Sequence, residues 1–165
     1  IAWSMRAHGM IRFCWTNTGN EKADNYGEVM CAIDYEPLTT TVADDEDRLV
    51  TVNRFIEGDT DFNSFDNLAF QPKTGNLYVI EDHANGDIFA CLPDGADRDI
   101  KSDGCIKILS VKDSSAEPTG FFFTDDGETA YISIQHSNDD NMPLFDDYPT
   151  DDVLKITGFK VKHKK

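Results

Sequence analysis

Residues 65–83 read FDNLAFQPKTGNLYVIEDH and residues 118–136 read PTGFFFTDDGETAYISIQH, and the two stretches align without a gap at a distance of 53 residues. Each copy contains an apolar run, a turn rich in Gly, Pro, Asp or Thr, a second apolar run, and a polar end that carries a histidine. A repeat of about 50 residues with several strands in each copy is typical of the blades of a β-propeller. This repeat therefore predicts a propeller.

Short apolar runs with alternating polarity also occur in the rest of the chain, separated by Gly, Asp, Asn and Pro. This pattern is typical of β-strands joined by tight turns, and no window has the periodicity of an amphipathic helix. We therefore expect an all-β fold. The predicted strands span residues 10–16, 27–34, 49–56, 68–71, 76–81, 87–91, 105–110, 120–124, 129–134 and 153–161.

At this period the 165 residues supply about three blades, which we place at about residues 1–60, 61–115 and 116–165. A propeller closes only with four or more blades. We therefore expect a partial β-propeller whose remaining blades come from the same parent chain or from another copy. The chain begins at Ile1 in an alternating segment, which adds to the expectation of a C-terminal part of a longer protein.

The charge of the chain is strongly negative, with 31 Asp and Glu against 15 Lys and Arg and a net charge of −16. Such a field repels nucleic acid and anionic lipid and attracts cations. We therefore expect no nucleic-acid partner. No run approaches the ~18 apolar residues of a membrane span, so we expect no transmembrane segment in this portion. Most of the carboxylates are expected to be solvated, and only those at special positions are candidates for a metal site.

The repeat places polar side chains at one end of the predicted blades, because the first strand of a blade starts where the second one ends. Carboxylates and amide carbonyls that converge there are the ligands that Ca²⁺ requires. Asp66 and Glu117 are the best ligand candidates, and capping of turns by these two side chains is the open alternative. The other polar residues at this end are Asn17, Asn67, Glu81, Asp82, His83, Gln135 and His136.

The histidines His83 and His136 occupy equivalent positions of the repeat. This recurrence favours a structural role, such as a hydrogen bond between strand ends, with metal ligation or acid–base catalysis as the alternative. Among the four cysteines, Cys91 and Cys105 flank a polar loop and are a candidate disulfide; free thiols remain the alternative. No CxxC pair and no Gly-x-Ser-x-Gly motif occurs, so the sequence indicates neither a zinc site nor a serine nucleophile.

Several motifs resemble, in order and spacing, the closing motifs of the PhoX-type alkaline phosphatases. They are FNSFDNLAF at 62–70, GNLYV at 75–79, EPTG at 117–120, TDDG at 124–127 and IQH at 134–136, preceded by CWTN at 14–17 and NYGEV at 25–29. The resemblance implies a six-bladed propeller exported to the periplasm, the cell surface or the medium. It also implies that calcium and iron ions in the central channel hydrolyse phosphate monoesters.

The same resemblance implies roles for individual residues. Asp66 and Glu117 would be metal ligands, and Asn67 and Asn17 would bind a metal or orient one of its ligands. Asp82, His83 and His136 are candidates for contacts to these ligands or to the substrate because of their place at the same end of the predicted blades, and not because of the resemblance.

The iron-binding cysteine motif that the family places earlier is absent from these residues. Fe³⁺ would therefore need ligands from other sequence, and we expect the chain alone to be inactive.

The sequence thus predicts a metal-dependent phosphomonoester hydrolase, with two alternatives. The first is a calcium-binding propeller of lactonase or esterase type, which would also use an Asp-Asn pair on an inner strand. The second is a non-catalytic cell-surface or assembly propeller that uses ions only for stability.

Overall fold

A computed structural model describes residues 2–5, 11–34, 50–93, 104–137 and 151–161. Within these ranges the chain forms eleven β-strands, one turn of 3-10 helix at Glu21–Ala23 and no α-helix, which confirms the all-β prediction. None of these residues belongs to a helix that could cross a membrane. The strands are β1 (Ala2–Met5), β2 (Ile11–Asn17), β3 (Glu28–Asp34), β4 (Val50–Glu57), β5 (Phe65–Phe70), β6 (Leu77–Glu81), β7 (Asp87–Cys91), β8 (Ile106–Ser110), β9 (Glu117–Phe123), β10 (Thr129–Gln135) and β11 (Asp152–Thr157).

The strands form three antiparallel sheets. Sheet 1 has the order β1-β2-β3-β4, sheet 2 has the order β5-β6-β7-β8, and sheet 3 has the order β9-β10-β11. Strands that follow each other along the chain are therefore neighbours in the sheet, as short antiparallel connections require. The first strands of the three sheets contact each other in order, β1 with β5 and β5 with β9.

The sequence repeat maps β5 onto β9 and β6 onto β10. In each copy the turn between the two strands contains a glycine with positive φ, +77° at Gly75 and +73° at Gly127. A Cβ atom at Gly127 would lie 2.8 Å from the carbonyl oxygen of Pro72 in the turn of the neighbouring sheet. Glycine is therefore required at this turn both by the backbone conformation and by the close approach.

Strand β5 contains a bulge at Asp66. The residues on either side of it, Phe65 and Asn67, pair with consecutive residues of β6, so Asp66 has no direct partner in that ladder. A bulge changes the alternation of side chains along a strand. As a result Phe65 and Leu68 both face the core between sheets 1 and 2. Sheet 3 has a bulge one position later in the repeat, at Gly120.

Two strands begin earlier than predicted, β5 at Phe65 and β9 at Glu117. The polar residues at the start of β5 remain in the ladder because the bulge accommodates them. Pro118 is tolerated in β9 because β9 is an edge strand of sheet 3, where one side of the backbone makes no ladder bonds.

Two apolar cores lie between the sheets. The core between sheets 1 and 2 includes Phe55, Phe65 and Val79, and the core between sheets 2 and 3 includes Ile80 and Ile132. Strand β6 contributes to both, and all five of its residues are buried. Sheet 2 is thus packed on both faces, and it holds the first strands of the sheets at fixed positions.

All four cysteines form disulfides. Cys91 is bonded to Cys105, the pair that flanks the polar loop. The second disulfide joins Cys14 to Cys31, which face each other directly on β2 and β3. This second pair was not predicted from the sequence, because it depends on the register of two strands.

Candidate functional site

Three acidic residues lie where sheets 2 and 3 meet. Asp66 occupies the bulge of β5, Asp82 follows the end of β6, and Glu117 is the first residue of β9. Because β5 contacts β9, the start of one sheet is brought against the start of the next.

The electrostatics of these carboxyl groups show that they influence each other. Burial raises the pKa of Asp66, and the negative charge of Asp82 raises it further. Burial also raises the pKa of Glu117, and Asp82 raises it again through a side-chain hydrogen bond and its charge. Partly buried carboxyl groups with a shared acidic neighbour hold unfavourable negative charge. A bound cation would relieve that repulsion.

Each of the two predicted ligands has an amide partner. Asn67 donates from Nδ2 to Oδ2 of Asp66, and the same nitrogen donates to Oγ1 of Thr119 at 3.2 Å. Gln135, the last residue of β10, donates from Nε2 to Oε1 of Glu117. The hydrogen bond between Asn67 and Thr119 crosses from sheet 2 to sheet 3, so it links the two halves of the site.

The structure gives the two histidines different contacts. The Nε2 atom of His83 lies 3.4 Å from Oε2 of Glu81, and its Nδ1 atom lies 2.9 Å from the carbonyl oxygen of Ala84. The backbone N–H of His136 donates to Oδ1 of Asp151 at 2.9 Å, and its exposed ring lies near enough to Glu117 to offset a small part of the rise in the pKa of that carboxyl. His83 and His136 are equivalent in the repeat, but they do not make the same hydrogen bond.

Asn17 lies at the end of sheet 1. Its amide Nδ2 donates to Oε1 of Glu28 at 2.8 Å, and it lines a polar cleft of about 580 Å³ together with Arg54. Arg54 in turn binds Oε2 of Glu28 at 2.8 Å. The preceding residue, Thr16, is the one that contacts the acidic site, because its hydroxyl donates to the carbonyl oxygen of Asp66 at 2.9 Å.

Glu81 is at the same end of sheet 2 but has a different environment. Its side chain is only 2% exposed and accepts hydrogen bonds from the backbone N–H groups of Asn63 at 2.9 Å and Asp87 at 3.0 Å. Burial raises the pKa of this carboxyl. The hydrogen bonds make Glu81 an internal acceptor that fixes the loops around the site.

The side chains at this site include oxygen atoms of the kind that Ca²⁺ prefers, carboxylates from Asp66, Asp82 and Glu117 and amide carbonyls from Asn67 and Gln135. Ca²⁺ takes six to eight such oxygens. In the part of the chain that the structure describes, no group of three or more His, Cys, Asp and Glu side chains is arranged as a metal site. The described side chains therefore do not form a complete metal site by themselves. With all four cysteines bonded, the chain offers no thiolate to iron.

Thr16 and Thr119 were not among the candidate site residues, and Gln135 was placed at this end of the blades without a role. Gln135 is adjacent to the histidine of the repeat, and Thr119 belongs to the EPTG motif at 117–120. Position within these motifs was the only available signal, since the contacts themselves depend on how the sheets pack.

Comparison with family models matches residues 8–138 to the family described as "Alkaline phosphatase PhoX". The matched region includes all of the acidic site and both amide partners. Searches among curated proteins and among solved structures found no match. Because the family match extends over more than half of the 165 residues, and over the residues that build the site, the chain belongs to the alkaline phosphatase PhoX family.

Proposed function

We propose that the protein containing this chain hydrolyses phosphate monoesters with the help of bound metal ions. Membership of a metalloenzyme family of alkaline-phosphatase type supports the class of reaction. The observation that carries the proposal is the position of Asp66 and Glu117 on contacting strands around a shared acidic neighbour, Asp82, with the pKa of both raised by burial and by Asp82. Such a pair gains from binding a cation, since the cation neutralises the charge that burial disfavours.

The residues of this chain would have different roles at the site. Asp66 and Glu117 would bind Ca²⁺, and Asp82 would add a third carboxylate. Asn67 and Gln135 would orient these carboxylates through the hydrogen bonds described above. When bound, metal ions supply positive charge that polarises a phosphate ester and stabilises the charge that develops during displacement. Fe³⁺ would require ligands from sequence outside this chain.

The three sheets fit three blades of a six-bladed propeller, the architecture proposed for the whole domain. Their meander order, the 53-residue repeat and the sequential contact of β1, β5 and β9 support this. On the outer face of sheet 3, Phe122 is 57% exposed and stacks on Tyr131, the repeat equivalent of the buried Tyr78. This face is suited to pack against a further sheet, from the parent chain or from another copy.

The protein would act in an oxidising compartment. The two disulfides support a periplasmic, cell-surface or extracellular location, because such bonds persist mainly outside the reducing cytosol. Phosphate monoesters would then be hydrolysed outside the cytosol.

A calcium-dependent lactonase or esterase is the second candidate. The hydrogen-bonded pair of Asp66 and Asn67 at the start of β5 favours it, since one ion held by an Asp-Asn pair would serve either chemistry. The two candidates differ in the bond that is cleaved, so substrate tests separate them.

The experiment is an assay of the full-length protein on a chromogenic phosphate monoester and on a chromogenic lactone, with Ca²⁺ and with a chelator. We expect phosphate-ester turnover that the chelator abolishes. The substitutions D66N and E117Q should reduce turnover by about 100-fold or more, because even residues that only orient a metal ligand change activity by roughly 10–100-fold. D125N, at an exposed turn residue, is the matched control.

The alternative outcomes are equally distinct. Chelator-sensitive turnover of the lactone alone would show that the protein is a lactonase or esterase and would refute the proposed phosphatase activity. Absence of chelator-sensitive turnover on both substrates would favour a non-catalytic propeller in which ions serve only stability.

A further inference from the structure

The Asp66 bulge is held from sheet 1 by two threonine hydroxyls. Thr16 Oγ1 donates to the carbonyl oxygen of Asp66 at 2.9 Å, and Thr18 Oγ1 donates to the carbonyl oxygen of Phe65 at 3.0 Å. A bulge interrupts the regular ladder, and here side chains of the neighbouring sheet supply donors to the backbone at that point. The backbone position of Asp66 is thereby tied to β2.

The same bulge is held from sheet 3 through its side chain. Both polar hydrogens of the Asn67 amide have acceptors, one on Asp66 and one on Thr119. This fixes the orientation of the amide, and with it the direction of the Asp66 carboxylate. Thr119 lies two residues after Glu117 on β9, so the link that orients Asp66 is anchored on the strand that carries the other predicted ligand.

We propose that Thr16 and Thr119 are positioning residues for the cation site, which they hold by clamping the Asp66 bulge from opposite sides. The inference rests on the proposed function of Asp66 and Glu117 as calcium ligands. Neither threonine touches the ion. Thr16 fixes the backbone of Asp66, and Thr119 fixes its side chain through Asn67. Contacts from sheets 1 and 3 together therefore determine the spacing between the carboxylates of Asp66 and Glu117.

The test measures cation binding directly in the full-length protein, by calorimetric titration with Ca²⁺ and by luminescence of bound Tb³⁺. Val replaces Thr with nearly the same shape and without the hydroxyl, so T16V and T119V each remove one hydrogen bond. Each substitution should weaken Ca²⁺ binding about fivefold, the equivalent of a hydrogen bond of about 1 kcal/mol. T16S and T119S keep the hydroxyl and should restore affinity to within about twofold of the wild type.

The control is T157V, at an exposed position of β11, which should leave Ca²⁺ affinity unchanged. The thermal midpoint in chelator separates positioning from general destabilisation, because a positioning role changes the stabilisation produced by Ca²⁺ more than the midpoint without it. If T119V does not fold, T119A provides the same loss of hydroxyl in a smaller side chain.

Failure of the two proposals would look different. Saturable Ca²⁺ binding by the wild type together with unchanged affinity in T16V and T119V would overturn the positioning role and leave the calcium site in place. Absence of saturable Ca²⁺ or Tb³⁺ binding in the wild type would overturn the calcium site itself, and the positioning role with it.

Discussion

Substitution of Glu81 is expected to destabilise the protein by removing an acceptor from two backbone donors. The carboxylate is 2% exposed and accepts from the N–H groups of Asn63 and Asp87. A buried donor without an acceptor costs about 1–3 kcal/mol. E81A leaves both donors without their partner, so we expect a loss of about 2–6 kcal/mol in the free energy of unfolding. E81Q retains one acceptor oxygen and should lose about half as much.

Urea denaturation of the full-length protein in chelator, followed by circular dichroism, measures these losses without a contribution from bound metal. D125A removes a carboxylate from an exposed turn residue and should stay within about 0.5 kcal/mol of the wild type. Equal losses for E81A and E81Q would show that the two hydrogen bonds are not the source of the effect. A loss for E81A no larger than that of D125A would refute the structural role altogether.

The two disulfides should differ slightly in their contribution to stability. Their sequence separations of 17 and 14 residues give similar chain-entropy contributions of about 3 kcal/mol each. Cys14, Cys31 and Cys91 are all buried, and only Cys105 is partly exposed. C14A/C31A should therefore cost about 1 kcal/mol more than C91A/C105A in urea denaturation, because one more buried sulfur is lost. Equal costs would contradict this. The acidic site should also impose a pH dependence on the metal-free protein. The folded-state pKa values of Asp66 and Glu117 lie above the ordinary 3.8 and 4.5. Between the unfolded and the folded pKa values, the folded state therefore keeps protons that the unfolded state has released. The contribution of these two groups to stability falls as the pH rises through this range. Thermal melts in chelator from about pH 4 to 7 should therefore show D66N/E117Q gaining stability relative to the wild type as pH rises; a gain in the opposite direction would be inconsistent with the raised pKa values.

Most strands were predictable because their side chains alternate between core and solvent. Strand β7 has the predicted bounds, Asp87–Cys91. The errors occur where local backbone geometry intervenes. Strand β11 ends at Thr157 rather than at residue 161, because Gly158 has a φ of +102° and turns the chain. The early start of β5 depends on a bulge, which a strict period of two residues does not accommodate.

The placement of the site was partly predictable. The repeat brought Asp66 and Glu117 to the same end of their sheets, because strand direction alone determines which residues lie at an end. The hydroxyl contacts of Thr16 and Thr119 were not predictable, since they depend on the packing of one sheet against the next. The burial of Glu81 was also missed, because β6 is covered on both faces and shows no alternation.

The bulge at Asp66 divides β5 into positions with different structural constraints. Phe65 and Leu68 are constrained by the apolar core, whereas position 66 is unpaired with β6. Under the proposed function, a mutation at position 66 would eliminate ion binding while the strand register and the core persist. The fold of the family would then be retained without its metal chemistry, and a relative with every core residue of β5 need not be an active enzyme. The residue at position 66 would be the one that separates active members from inactive ones.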